Sequence, residues 1–336
     1  MNKLTKFLVT GVLSILATSA AMAEAQFTMR IATGANSAGF NCKEFLPAWA
    51  EKVKAESGGR IDYKLYCDGT LGRMGDTITR VQNGVADVGW DAPLAYGGRF
   101  SAFGTVSLPA LFEDPVEAAG ALWRVYENGS IPSDPSVKLV LIQVFGNISL
   151  WSTGEIENPA SLKGLKFGMG SRERAIMLEK MGGIPLTLRV PEYYQSLAKG
   201  AAFGLFSNDA AILDYSLTEL TKHVYRAPFG AGIANVYMNR RWYEKLPADL
   251  KAIIDANTGY ESSKWASRIL WEDDLRNVKK AQAEKGLVVH QLSEEELKAW
   301  KPAFDAAQAS WVASVANGQT YLDAFKTALE VERAKQ

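Results

Sequence analysis

An α/β protein of two lobes, joined by crossing strands and finished by long helices, is what this sequence predicts. Three observations carry that expectation. Residues 151–209 run turn, strand, helix, strand, helix, strand without a break, which is the grammar of a parallel α/β lobe. Residues 27–91 repeat that order with different residues. Two further β segments, at 137–151 and 233–238, lie between and after these units, where a chain passing from one lobe to the other would place them.

The first lobe opens with a strand over 27–33, apolar on alternate positions, which ends in Gly34-Ala35-Asn36-Ser37. Asn41 is expected to cap a helix running to Glu56, with Phe45, Trp49 and Val53 on one face, and Ser57-Gly58-Gly59 ends it. Residues 61–66 return as a strand. A helix over 74–82 stops at Asn83-Gly84, and 86–90 forms a third strand ending at Asp91. Asp114 caps a helix with Pro115 at its first position, and Asn128-Gly129 breaks it. The β segment from 137 to 145 is interrupted by Gly146-Asn147 and resumes over 148–151 as the first crossing.

In the second lobe Gly164 marks a turn and 165–169 a strand. Ser171 caps a helix that Gly182-Gly183 releases. Residues 184–188 form a strand, Pro191 opens a helix that Gly200 stops, and 203–206 gives a third strand, followed by Ser207-Asn208-Asp209. The return crossing is 233–238, after the Pro228-Phe229-Gly230 turn. Beyond it the pattern is helical: a helix at Leu246-Pro247-Ala248-Asp249, a long one over 260–283 with Trp265, Ile269, Leu270 and Leu275 facing inward, and an edge strand over 287–290. A helix announced by the Ser293/Glu296 capping box and a last one over 319–330 complete the chain. These elements are expected to close over the first lobe and brace the crossings. The expected division is residues 24–146 with 236–336 as the first lobe and bracing helices, and 147–235 as the second lobe.

Residues 1–23 are set apart. Lys3 and Lys6 precede an apolar run from Phe7 to Leu16, and Ala21-Met22-Ala23 is a small-residue cleavage site, so this is a signal peptide, too short to span a membrane. The chain of 336 residues balances 37 basic against 37 acidic side chains, which offers no broad attraction to nucleic acid or an anionic membrane. Export to an oxidising compartment leaves two cysteines, Cys42 and Cys67, which are expected to be bonded; free buried thiols are the alternative. With two histidines and two distant cysteines there is no zinc ligand set. No G-x-S-x-G elbow, dinucleotide glycine signature or P-loop is present, and no metal or cofactor is expected, so an enzyme is not indicated.

Several ordered segments carry a resemblance. Gly69-Thr70-Leu71-Gly72, Asn83-Gly84-Val85-Ala86-Asp87-Val88, Ser107-Leu108-Pro109-Ala110-Leu111-Phe112, Ser161-Leu162-Lys163-Gly164-Leu165-Lys166, Met181-Gly182-Gly183-Ile184-Pro185 and Glu192-Tyr193-Tyr194-Gln195-Ser196-Leu197 together resemble the DctP-type solute-binding proteins of TRAP transporters. The resemblance implies a two-lobed periplasmic-binding-protein fold (type II-like, a Venus flytrap). It also implies a monomeric periplasmic receptor that hands a small solute to one small and one large membrane subunit. Most members of that family bind organic acids through an arginine at the end of the Leu-Lys-Gly-Leu-Lys strand; here the matching residue is Gly168. A second family arginine falls on Asn147, and a family aspartate on Phe203.

Losing two cations would leave a buried carboxylate without the pairing that offsets its desolvation. The strand ends supply aromatic and acidic groups instead: Asn36 and Phe40 after the first strand, then Tyr66, Trp90, Asp91, Trp151, Phe206, Asn208 and Asp209. Aromatic faces with a carboxylate suit a small cation, so the sequence points to an amine or amino alcohol resembling ethanolamine. A neutral polyol, or an acid held by other donors, is the alternative, and a sensory receptor built on the same lobes is another. Each residue also has a plainer role: Trp90 and Trp151 as core, Asp91 and Asp209 as helix caps, Asn208 as a turn former. Arg172 and Arg174 are expected to decorate the helix that follows Gly168, with entry into the cleft as the less favoured option.

Overall fold

The computed structural model describes residues 25–335; the expected signal peptide lies outside the described residues. In the first lobe β1 (Phe27–Thr33), α1 (Leu46–Glu56), β2 (Ile61–Tyr66), α2 (Thr77–Gln82) and β3 (Val88–Asp91) follow the predicted alternation. They lead through α3 (Pro115–Glu127) to β4 (Val137–Asn147). The second lobe contains β5 (Ser149–Ser152), β6 (Lys166–Met169), α4 (Arg172–Lys180), β7 (Ile184–Thr187), α5 (Tyr193–Ala198), β8 (Gly204–Ser207), α6 (Asp209–Asp214) and β9 (His223–Arg226). The chain then returns as β10 (Ala231–Asn239), followed by α7 (Arg240–Glu244), α8 (Ala248–Ala256), α9 (Tyr260–Lys285), β11 (Val288–Gln291), α10 (Glu294–Ser314) and α11 (Gly318–Arg333).

Two sheets result, ordered β2-β1-β3-β10-β4 and β11-β9-β5-β8-β6-β7. Each has a parallel portion, β1 with β2 and β3 in one and β6 with β7 and β8 in the other, and each receives antiparallel crossing strands. The crossings touch at Ile148, whose N–H donates to Gly230 O at 2.8 Å, and at Asn147, whose Oδ1 accepts the Gly230 N–H at 3.0 Å. The predicted break at Gly146-Asn147 therefore falls one residue later. Asn147 continues β4 and uses its side chain to join the two crossings.

Asn41 does not cap a helix. It opens a wide five-residue turn, Asn41–Phe45, ahead of α1, and its side chain is buried. That turn sends Phe40 and Phe45 into the core while Cys42 reaches Cys67 beyond the end of β2, and the two cysteines are disulfide-bonded. A bridge across 25 positions restricts the unfolded chain, and its removal costs about 3 kcal/mol. The Cys42→Ser/Cys67→Ser double variant is accordingly expected to melt several degrees lower than the parent, and reductant should shift the parent's melt but not the variant's.

The C-terminal elements do more than brace the first lobe. α9 lies along β4 and α3, but β11 then adds to the edge of the second sheet beside β9, and α10 packs on α4. Trp300, Ala303 and Phe304 of α10 are buried in the second-lobe core with Phe206 and Phe229, whereas Phe325 and Leu329 of α11 return to the first. Their apolar faces select these partners more strongly than sequence adjacency does. Leu270 of α9 is buried as expected, but Leu275 is exposed because it faces outward at the gap between the lobes.

Candidate functional site

Ligands of open α/β sheets collect beyond the carboxyl ends of the strands, and in the second lobe that edge is formed by β6 and β8. Phe167 and Met169 of β6 point toward α4 and α10, leaving Gly168 on the opposite face. Its place there is filled: a Cβ on Gly168 would lie 2.6 Å from Leu188 Cδ1 and 2.9 Å from Leu205 Cδ2. The strand end is filled by apolar packing, and Gly168 itself offers a solute nothing but backbone.

A cation nonetheless reaches this edge. Arg174, in the first turn of α4, extends its guanidinium over the carboxyl end of β8, where Nη1 donates to Phe206 O at 3.2 Å. The residue is half-buried, and burial pushes its pKa below the ordinary value. Tyr193 and Glu173 oppose that fall only as nearby partial or full negative charges, and among the described residues Arg174 makes no ion pair. The same turn has further unmet donors, because the Ser171 hydroxyl bonds the Glu173 carboxylate at 2.5 Å instead of capping the helix. Arg174 thus turns back onto the end of β8 instead of only decorating the helix. Arg172 remains exposed.

Asn208 stands at the end of β8. Its Oδ1 caps α6 by accepting the Ala211 N–H at 2.8 Å, and its Nδ2 lies next to Gly232 and Phe145 on the crossings. Phe145 stacks on Trp90 at 6.3 Å, and Trp90 Nε1 donates to Gln143 Oε1 at 2.8 Å. An amide of the second lobe thus meets an aromatic pair of the first. Phe145 was not singled out in the sequence, where it reads as one more apolar position of a β segment.

Other expected contacts are already spent. Asp91 is fully buried and accepts the N–H groups of Gly75 and Thr77 at 2.9 Å and of Ala92 at 2.8 Å, together with the Tyr96 hydroxyl. Burial raises its pKa against those hydrogen bonds. It braces the loop before α2 and has no accepting position left for an ammonium group. Asp209 is likewise buried, with Oδ2 2.6 Å from Arg226 Nη1, and Arg226 also donates to Ser149 Oγ at 3.2 Å. Burial raises the pKa of Asp209 although Arg226 works against it.

Trp151 is wholly buried beside that ion pair, with the Arg226 guanidinium 5.8 Å from its ring. Phe206 belongs to an aromatic core, 5.0 Å from Phe229 and nearly perpendicular to it. Both are large apolar side chains at strand positions facing inward, so the plainer reading holds for them. Tyr66 sits half-buried on the edge strand β2, and Asn147 donates to Phe112 O and Glu113 O as well as joining the crossings. Asn36 and Phe40 do reach the other lobe: Asn36 Nδ2 donates to Asp214 O at 3.3 Å, and Phe40 lines an interlobe cavity with Asp214.

Comparison with known proteins follows the same outline. The model of the bacterial extracellular solute-binding proteins, family 7, matches residues 33–314. A solute-binding protein of Chromohalobacter salexigens is 24% identical over 265 residues, 74% of this chain and 75% of that one. Among solved structures, a TRAP solute-binding protein from Rhodoferax ferrireducens, in complex with copurified benzoate, has a TM-score of 0.84 at 24% identity. The match covers 92% of this chain and 99% of that one. A marine metagenome TRAP solute-binding protein specific for aromatic acid ligands, in complex with metahydroxyphenylacetate, also has a TM-score of 0.84, at 23% identity over 91% of this chain and 99% of that one.

Proposed function

This chain belongs to the bacterial extracellular solute-binding proteins of family 7, and from that premise we propose that it captures a small aromatic carboxylic acid between its lobes. It does so in the periplasm and delivers the acid to the small and large membrane subunits of a TRAP transporter. The observation that carries the reading is Arg174, a half-buried guanidinium at the carboxyl end of β8 with no ion-pair partner among the described residues. A buried cation in that state is stabilised by an anion that arrives with the solute. The unmet amides at the start of α4 add donors in the same direction.

The aromatic part of the proposal rests on Phe145 and Trp90, whose rings stack on each other, with Phe145 and Asn208 both close to Gly232 of β10. Relatives of the same fold that hold benzoate and metahydroxyphenylacetate support it. The amine expected from the sequence loses its support here, because Asp91 is saturated and Asp209 is paired. A neutral polyol would leave the Arg174 charge uncompensated.

The test is calorimetric titration of protein stripped of ligand by unfolding and refolding, using benzoate, metahydroxyphenylacetate, glycerol and ethanolamine. Binding of the aromatic acids without binding of glycerol is expected. Glycerol binding with no response to either acid would overturn the proposal.

A further inference from the structure

A cavity of about 520 Å³ lies between the turn after β1, α6 and the second half of α9. Gly168, Arg174, Phe206 and Asn208 do not line it, so it is separate from the acid site. Two carboxylates face it. Asp274 of α9 is only 3% exposed, yet among the described residues it has no hydrogen-bond donor; Asp209, Asp273 and Asp214 are its charged neighbours, and Arg226, the nearby cation, is engaged by Asp209. Asp214 of α6 meets the first lobe directly: a Cβ on Gly39 would lie 2.4 Å from its Oδ2. Burial and Asp273 raise its pKa to about 6, with the Phe40 N–H partly offsetting them.

The other charges around the cavity do not neutralise this pair. Asp273 is held by Arg276 at 2.7 Å and Asn277 at 2.9 Å, and Lys285 donates to Thr218 at 3.0 Å. Lys43 and Lys280 also line the cavity, but neither forms an ion pair with Asp214 or Asp274. Apolar walls come from Phe40, Leu213 and Ala281. One buried and one half-buried carboxylate from different elements, beside the apolar side chains of Phe40, Leu213 and Ala281, match the three donors and short stem of a primary amine. No group of three or more metal-ligating side chains occurs among the described residues, so a divalent metal has no comparable ligand set.

We infer that this cavity is a second site, which takes a small primary ammonium compound between Asp214 and Asp274. Because Asp214 abuts the first-lobe turn and Asp274 belongs to α9, such an occupant bridges the lobes. The inference goes beyond the acid-receptor reading and does not rest on it.

The experiment is a melting series at neutral pH and constant ionic strength with putrescine, ethanolamine and tetramethylammonium, run on the parent and on Asp274→Asn and Asp214→Asn. Benzoate titration of each protein is the independent readout of the acid site. Both primary amines are expected to raise the parent's melting temperature, tetramethylammonium is not, and each variant should bind putrescine at least about tenfold more weakly. Benzoate affinity should be the same in all three proteins. If one variant does not fold, the other carries the comparison. The inference is overturned if the parent fails to respond to primary amines, if tetramethylammonium gives an equal rise, or if a folded variant keeps the parent's affinity for putrescine.

Discussion

Arg174→Leu should lose acid binding by at least about 100-fold while leaving the free protein as stable as the parent or more so. The two effects have opposite signs for one reason. In the absence of solute the guanidinium is a partly desolvated charge with a carbonyl as its polar partner, and replacing it with a shorter apolar side chain removes that penalty. When solute is bound, the same side chain is the charge that compensates the carboxylate, and its loss leaves a buried anion unpaired. Calorimetry with benzoate and a urea melt of ligand-free protein measure the two halves separately. A destabilised protein with unchanged benzoate affinity would mean that Arg174 is a structural tie to Phe206. Arg174→Lys should recover only part of the affinity, because an ammonium group lacks the planar fork.

Gly230→Ala should be among the most destabilising single methyl additions available, costing on the order of 3–5 kcal/mol or preventing folding. Gly230 has φ of +84°, and a Cβ there would lie 2.2 Å from Ser107 O and 2.5 Å from Ser107 C. A left-handed conformation alone costs a non-glycine residue about 1–2 kcal/mol. The backbone overlap adds to it, at a point where both crossings are bonded to each other through Asn147 and Ile148. Gly200→Ala separates the terms, because Gly200 has φ of +66° and open space around it. Urea midpoints for the two variants should therefore differ by more than twofold in free energy. Equal losses would assign the whole effect to backbone conformation.

Elements whose signals are local were legible in the sequence. The strand–helix alternation, Asp114 before Pro115, the Ser293/Glu296 capping box and the interruption between the crossings depend on residues a few positions apart, and each is found close to its expected place. The α10 partnership with α4 and the addition of β11 to the second sheet depend on which apolar faces meet, and adjacency in the chain does not encode that.

The site divides in the same way. Gly168 is visible in the sequence, but the sequence cannot show that Leu188 and Leu205 occupy the space beside it. Asp91 looked free because the donors that saturate it come largely from the loop near Gly75 and from Tyr96. Arg174 reads as surface because its sequence neighbours Ser171, Arg172 and Glu173 are polar, while its place in the first turn of α4 turns it toward Phe206.

The path of the chain also constrains when this protein becomes a protein. It passes from the first lobe to the second at Ile148, back before β10, forward again along α9 and back once more into α11. Each core is completed by segments that lie far apart in sequence: the first needs Phe325, and the second needs Trp300. Such non-local closure is slow, and here it cannot finish on a partial chain. A nascent polypeptide halted anywhere before α10 therefore has two unfinished cores.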